Sequence, residues 1–215
     1  MSDALSGLAV AAVTAVAVAG IFLWAGRVRR RKIEALRGLC LRRGWKYEPL
    51  GGSLRHGHRI EGDGWSFEAV SRSSGRESGP GSSDWDHATL WSSSGENPGR
   101  GTFILGLNPG GMRDLARMPA ALLARFLGPE AAGMRPYPAG GRLEPRFMLL
   151  AREEPPAMGF LDGRSEEMLA AWPAALPLVV RSSPARLELR VAGRRLERPE
   201  DIERLVELGQ SFLQG

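Results

Sequence analysis

The chain has 215 residues, of which 43% are hydrophobic and 25% charged, so it can build one ordinary domain with a hydrophobic core. Its single cysteine, Cys40, excludes a disulfide framework and favours a reducing compartment. The net charge of +5 is unevenly distributed: residues 27–46 hold nine bases and one acid, or +8, whereas residues 47–215 hold 20 bases and 22 acids, or −2. A nucleic-acid-binding domain usually carries its bases on the folded part, so nucleic acid is not expected as a partner.

The first element in chain order is an uncharged apolar run over residues 5–26, whose polar residues are Ser6 and Thr14. As a helix the run would rise about 33 Å, which exceeds the roughly 30 Å of a hydrocarbon core. The sequence therefore predicts a transmembrane signal anchor over residues 1–26. Two alternatives stay open: a signal peptide cleaved after small residues near 17–19, and a buried core helix. The run is longer than a typical signal-peptide core, and no base precedes it.

The orientation of this anchor is predicted from the bases beside it, since five bases follow the apolar run and none precedes it. The positive-inside rule places the N-terminus outside and the C-terminal domain in the cytoplasm, with the anchor in the plasma (inner) membrane. The bases serve as a topology signal alone, or they also contact anionic lipid. The predicted partner on this side is the lipid bilayer. The predicted membrane-interface residues are Trp24, Arg27, Arg29, Arg30, Arg31 and Lys32.

Small residues recur every fourth position within the apolar run, at Gly7, Ala11, Ala15 and Ala19. Two membrane helices pack closely along such a ridge, which predicts a homodimer. The alternative is that an alanine-rich run produces this spacing by chance.

A basic juxtamembrane helix is predicted next, over residues 27–44. Ile33, Leu36 and Cys40 share one face of this helix, and Gly44 is a stop signal. Cys40 on an apolar face is expected to be a small buried hydrophobe, although neighbouring bases would suit a nucleophilic thiol as well.

Beyond residue 44 the apolar pattern has a period of two, which predicts antiparallel hairpins. Asp63-Gly64, between strands at 59–62 and 65–71, is a strong two-residue turn signal. Further strands are predicted at 85–92, 102–107, 147–151, 178–181 and 187–191, and helices at 113–127, 166–172 and 199–213.

The predicted fold class is α+β: a transmembrane helix followed by a small soluble domain, residues 45–215, of antiparallel hairpins with two or three amphipathic helices. Two halves, about 45–128 and 142–215, each end in a strand, a turn and an amphipathic helix. This order suggests an internal duplication, which the residue identities neither establish nor exclude.

Three histidines are the candidate metal ligands. His56 and His58 are two residues apart on a predicted strand and so share a face, while His87 follows Asp84 and Asp86 on another. Three imidazoles and a carboxylate are a ligand set that holds zinc. The alternative is solvated histidines at a loop or strand edge, because arginines bracket the first pair and would repel a cation.

Tryptophans form a second candidate site. On a strand, Trp85 and Trp91 share a face, and with Trp65 they predict an aromatic ligand groove; filling of a core is the alternative. The glycine-rich segments match neither a P-loop nor a dinucleotide fingerprint.

The function expected from these observations is non-enzymatic: a single-pass membrane protein whose cytoplasmic domain is a protein-interaction or scaffolding module, with no cofactor. The alternative is a membrane-tethered, metal-dependent hydrolase that uses His56, His58 and His87. The high content of Arg, Gly, Pro and Ala is typical of a GC-rich bacterial genome.

Overall fold

The computed structural model describes residues 2–73, 85–93, 95, 102–107, 131, 133–144, 146–152 and 161–214, apart from the side chains of residues 2–13, 15, 16, 85 and 107. The described helices are α1 (Ser2–Arg43), α2 (Gly163–Ala170) and α3 (Pro199–Gln214), with a 3-10 turn at Gly141–Leu143. The described strands are β1 (Lys46–Leu50), β2 (Arg55–Gly62), β3 (Trp65–Ser73), β4 (Trp85–Ser93), β5 (Phe103–Leu107), β6 (Arg135–Pro138), β7 (Phe147–Ala151), β8 (Leu178–Ser183) and β9 (Arg186–Ala192).

The strands form one sheet in the order β1-β2-β3-β4-β9-β8-β5-β7-β6. Its pairings are antiparallel. The predicted hairpin at Asp63-Gly64 is confirmed: β2 and β3 pair up to Gly62 opposite Trp65, and Gly64 has a φ of +74°. Glycine adopts this left-handed conformation without the steric cost that a Cβ atom imposes.

One face of the sheet carries the core. Alternate residues of the central strands, among them Phe67, Trp91 and Leu189, are fully buried and belong to the same cluster as residues of the helices. The amphipathic helix predicted at 199–213 is confirmed as α3, whose buried side includes Leu205 and Phe212. The helices therefore cover this face, as expected when both elements bury an apolar side.

The C-terminal half of α1 is part of this core. Leu36, Leu39 and Cys40 are each no more than 3% exposed, which confirms Cys40 as a small buried hydrophobe. Burial also raises the pKa of the Cys40 thiol, which disfavours the reactive thiolate. At the end of the helix, Arg43 forms ion pairs with Glu203 and Glu207 of α3.

The predicted fold class is wrong in two respects. Among the described residues, no helix is long and apolar enough to cross a bilayer. In place of separate hairpins, the described residues form one mostly antiparallel sheet of nine strands, with three helices.

The predicted localisation is corrected with the anchor. A plasma (inner) membrane position, with the N-terminus outside and a cytoplasmic C-terminal domain, depended on a spanning helix that the described residues do not contain. The division into halves stays a prediction, although β5 of the first half lies between β8 and β7 of the second. The helix predicted at 113–127 lies outside the described residues.

Candidate functional site

A cleft of about 760 Å³ opens between α1 and the β1–β2 edge of the sheet. Its size falls within the range of roughly 300–1,000 Å³ that ligand sites occupy. Apolar residues from both sides form its walls: Trp24, Val28, Ile33, Leu36, Tyr47 and Leu50. The polar lining residues form one group, called the polar end of the cleft: Arg29, Lys32, His56, His58, Arg195 and Glu197. Glu197 pairs with Lys32 and Arg195, and the charges of Arg195 and Arg29 act on His56.

The segment after β9 brings Arg195 and Glu197 into the cleft. Thr89 of β4 fixes this segment, because its Oγ1 donates a hydrogen bond to the Arg194 carbonyl at 3.0 Å and accepts one from the Leu196 backbone N–H at 2.9 Å. β4 pairs with β9, so the segment leaves the sheet beside the strands that carry the histidines. The antiparallel order of the sheet thus joins two distant parts of the sequence in one cleft.

Glu197 is held between two bases. Lys32 Nζ donates a hydrogen bond to Glu197 Oε2 at 2.7 Å, and the Arg195 guanidinium pairs with Glu197 Oε1. Burial, the largest single influence, would raise the pKa of Glu197, but the hydrogen bonds and charges of Lys32 and Arg195 together outweigh it and lower the pKa. Glu197 is therefore ionised at neutral pH and already paired with both bases.

His58 lies at the floor of the cleft and is 5% exposed. Its ring stacks between Tyr47 and Phe67, with centroid separations of 6.1 Å and 5.7 Å. Burial is the main cause that lowers the pKa of His58 to about 4, and the charge of Arg195 adds to it. His58 is consequently neutral at pH 7, and its Nε2 has no hydrogen-bond partner among the described residues.

The three histidines do share one face of the sheet. His56 on β2 is paired with Ser71 on β3, and Ser71 is paired with His87 on β4. Ser71 Oγ lies 2.7 Å from His87 Nδ1. Ser71 is fully buried, so this contact positions the imidazole and does not offer an accessible nucleophile.

The environment of His56 is positively charged. Burial, followed by the charges of Arg195 and Arg29, lowers its pKa. Among the residues that the structure describes, no group of three or more His, Cys, Asp and Glu side chains could hold a metal ion. Asp84, the carboxylate of the predicted set, lies outside the described residues, so the metal site stays a prediction.

The two described members of the predicted aromatic groove lie in the core. Trp65 is 3% exposed and Trp91 fully buried, and their rings are stacked at 6.4 Å. Trp45 adds an edge-on contact to Trp65 at 5.1 Å. The side chain of Trp85 lies outside the described ones.

The predicted membrane-interface residues have different environments. Trp24 is 70% exposed and lines the cleft, as does Arg29, whereas Lys32 forms an ion pair with Glu197. Arg27, Arg30 and Arg31 are exposed along α1. Of the small residues predicted to form a homodimer contact, Gly7, Ala11 and Ala15 lie outside the described side chains and Ala19 is exposed. The homodimer therefore also stays a prediction.

Sequence reasoning missed Tyr47, Arg195 and Glu197 as residues of the site. Tyr47 lies on an edge strand without a clear alternating pattern. The Cζ atom of Arg37 lies over its ring, 5.7 Å from the ring centroid. Arg195 and Glu197 belong to a charged segment after a strand, a pattern that is typical of any solvated loop. The position of Arg195 and Glu197 in the cleft follows only from the pairing of β9 with β4.

Comparison of the chain with models of protein families, with curated proteins and with solved structures found no match. The function is therefore inferred from the residues of the cleft and their surroundings.

Proposed function

We propose that the chain is a protein-interaction module that binds, in the cleft between α1 and the β1–β2 edge, a partner segment with apolar and acidic side chains. The observation that carries this proposal is the composition of the cleft, which has apolar walls and a basic end. Apolar walls favour burial of an apolar side chain, while a basic end favours an acidic one.

Exposed apolar residues of α1 adjoin the cleft. Five of them have exposed fractions between 45% and 75%: Val18, Ile21, Phe22, Leu23 and Trp24. Successive residues of a helix lie about 100° apart, so these side chains surround α1, and of the five Trp24 also lines the cleft. A protein segment in the cleft can extend over Trp24, which a small molecule deeper in the cleft would leave uncovered.

The charge of the cleft favours an acidic partner. Arg29, Lys32 and Arg195 line it against one carboxylate, Glu197, which leaves an excess of positive charge. Arg195 contributes, after burial, to the lowered pKa of both His56 and His58, while Glu197 acts in the opposite direction on each. A neutral or basic segment would gain nothing from this field.

The test is selection from a random peptide library displayed against the purified full-length chain. We expect enrichment of sequences in which Asp or Glu lies near large apolar residues. A selected peptide should lose at least about tenfold in affinity on Trp24→Ser, the loss of one well-buried anchor. Leu41→Ser is the matched control, because Leu41 is 82% exposed on the same helix and does not line the cleft.

A charge reversal separates the basic end from the apolar walls. Arg29→Glu should weaken the selected peptide, whereas Arg42→Glu, an exposed position of α1 away from the cleft, should not. Selection without an acidic bias, or equal losses in the test and control variants, would show that the cleft does not bind such a segment.

A further inference from the structure

The polar end of the cleft contains a buried ring nitrogen with no partner. His58 Nε2 is inaccessible to solvent and has no hydrogen-bond partner within the described part of the chain. Buried polar atoms are normally paired, and an unpaired one costs about 1–3 kcal/mol. His58 also lines the cleft, so a ligand that enters beside its ring is placed to supply the missing partner.

We infer that this end of the cleft is a carboxylate-binding site, in which a ligand carboxylate accepts a hydrogen bond from His58 Nε2–H and pairs with Arg195 and Arg29. The inference deepens the proposed function and rests on it, because the carboxylate belongs to an acidic side chain of the partner segment. Carboxylates are the acceptors that a guanidinium binds in a bidentate manner.

The chemistry of the surrounding groups supports an anion here. Arg195 contacts Glu197 and also lies close enough to His56 and His58 to act on both imidazoles. A neutral imidazole that carries its proton on Nε2 donates one hydrogen bond and needs no counter-charge. The stacking of His58 between Tyr47 and Phe67 fixes its ring plane, so the donor direction is set before the ligand arrives.

A cation is the disfavoured ligand at the same place. Glu197 is paired with both Lys32 and Arg195, and the net charge of the lining residues is positive with the histidines neutral. A metal ion bound by His56 and His58 would have to approach Arg195 and Arg29, whose charges already act on His56. The positive charges of the arginines would repel a metal ion in the partly buried cleft.

The test uses sodium acetate as the probe and the imidazole NMR signals of the full-length chain as the readout. The chain has three histidines, which makes assignment direct. At constant ionic strength, acetate should shift the His58 signals in a saturable manner, while chloride should not. Inorganic phosphate is a separate arm: saturation by phosphate but not by acetate would overturn the carboxylate assignment.

Two variants decide the role of the bases. Arg195→Gln should weaken acetate by about tenfold, and Arg142→Gln, at an exposed position outside the cleft, should leave it unchanged. If Arg195→Gln does not fold, Arg29→Gln on the exposed side of α1 provides the same comparison. A linear, non-saturable shift, or an equal affinity in the variant with the missing base, would overturn the inference.

The outcomes also separate this inference from the proposed function. Selection of acidic peptides without an effect of acetate on His58 would remove the carboxylate site and keep the interaction module. Acetate binding without any selected peptide would keep the carboxylate site and remove the interaction module.

Discussion

Lys32 Nζ lies 2.7 Å from Glu197 Oε2, and this ion pair joins α1 to the segment that follows β9. The residues are 165 positions apart in sequence. Arg43, eleven residues further along α1 than Lys32, forms a second connection, to Glu203 and Glu207 of α3. Part of the basic segment therefore fixes the helix to the rest of the protein, and Lys32 and Glu197 also line the cleft.

Removal of the Glu197 carboxylate should affect binding more than stability. The Lys32 side chain is 54% exposed, whereas those of Arg195 and Glu197 are 23% and 28% exposed, so Glu197→Gln should lower the free energy of unfolding by about 1 kcal/mol. Both bases would then be available to an anion, and a selected acidic peptide should bind more tightly at low salt. Denaturant unfolding and peptide titration measure the two effects.

The control for this change is Glu167→Gln, which removes another ion pair, with Arg142, outside the cleft. It should alter neither property appreciably. Weaker peptide binding by Glu197→Gln would contradict the assignment of Lys32 and Arg195 as anion-binding groups.

The free energy of unfolding should decrease as the pH is lowered from about 6.5 to about 4, because of His58. Its pKa is 6.5 in the unfolded chain and about 4 in the folded one, where Tyr47 and Phe67 enclose it and Arg195 and Glu197 face it. The unfolded state therefore binds more protons in this window, so unfolding becomes easier as the pH falls. The full difference corresponds to roughly 3 kcal/mol.

Denaturant unfolding at a series of pH values checks this expectation. His58→Phe keeps a ring between Tyr47 and Phe67 but does not titrate, so its stability should depend less on pH over the same window. The lowered pKa of His56 acts in the same direction and leaves part of the slope. A variant with the slope of the wild type would show that His58 is not the responsible group.

The strands that sequence reasoning identified are the inner ones. The strand predicted at 147–151 coincides with β7, and the hairpins around Asp63-Gly64 and before Arg186 were placed correctly. The two missed strands, β1 and β6, are the edges of the sheet. β1 contains Pro49 and β6 has the sequence RPYP, and proline, which is tolerated at edges, predicts a turn when only the sequence is known.

The order of the strands in the sheet could not be predicted from the sequence, and this mattered more for the site than the two missed edge strands. β9 lies beside β4, and this neighbour relation brings Arg195 and Glu197 to His56 and His58. Local patterns determine strand positions but not which distant strands pair, since pairing depends on the complete set of buried faces. The transmembrane prediction rests on the composition of the apolar run alone, and among the described residues no helix is long and apolar enough to cross a bilayer.

The start of α2 should depend on its cap residue. Asp162 Oδ1 accepts a hydrogen bond from the Ser165 backbone N–H at 2.6 Å, and Ser165 Oγ in turn lies 2.9 Å from Ser211 Oγ of α3. Asp162→Ala should therefore lower the free energy of unfolding by about 1 kcal/mol. Asp162→Asn retains an acceptor and should cost much less; thermal or denaturant unfolding compares the two, and equal losses would exclude capping as the cause.

Gly209 allows α3 to approach the sheet closely. A Cβ atom at this position would lie 2.5 Å from two carbons of the Trp91 ring, which is itself fully buried. Neither the helix nor the ring can move without disturbing neighbours in the same core. Gly209→Ala should consequently destabilise the chain by about 1–3 kcal/mol, although alanine is the better helix former.

Gly26→Ala is the matched control for this helix substitution. A Cβ atom at Gly26 meets nothing within 4 Å, so the same replacement in α1 should be neutral or stabilise by up to about 1 kcal/mol. Denaturant unfolding measures both variants, and the near-ultraviolet circular dichroism of the tryptophans reports on the core around Trp91. If Gly209→Ala were as stable as Gly26→Ala, with an unchanged tryptophan signal, α3 could not lie against Trp91 as the structure places it.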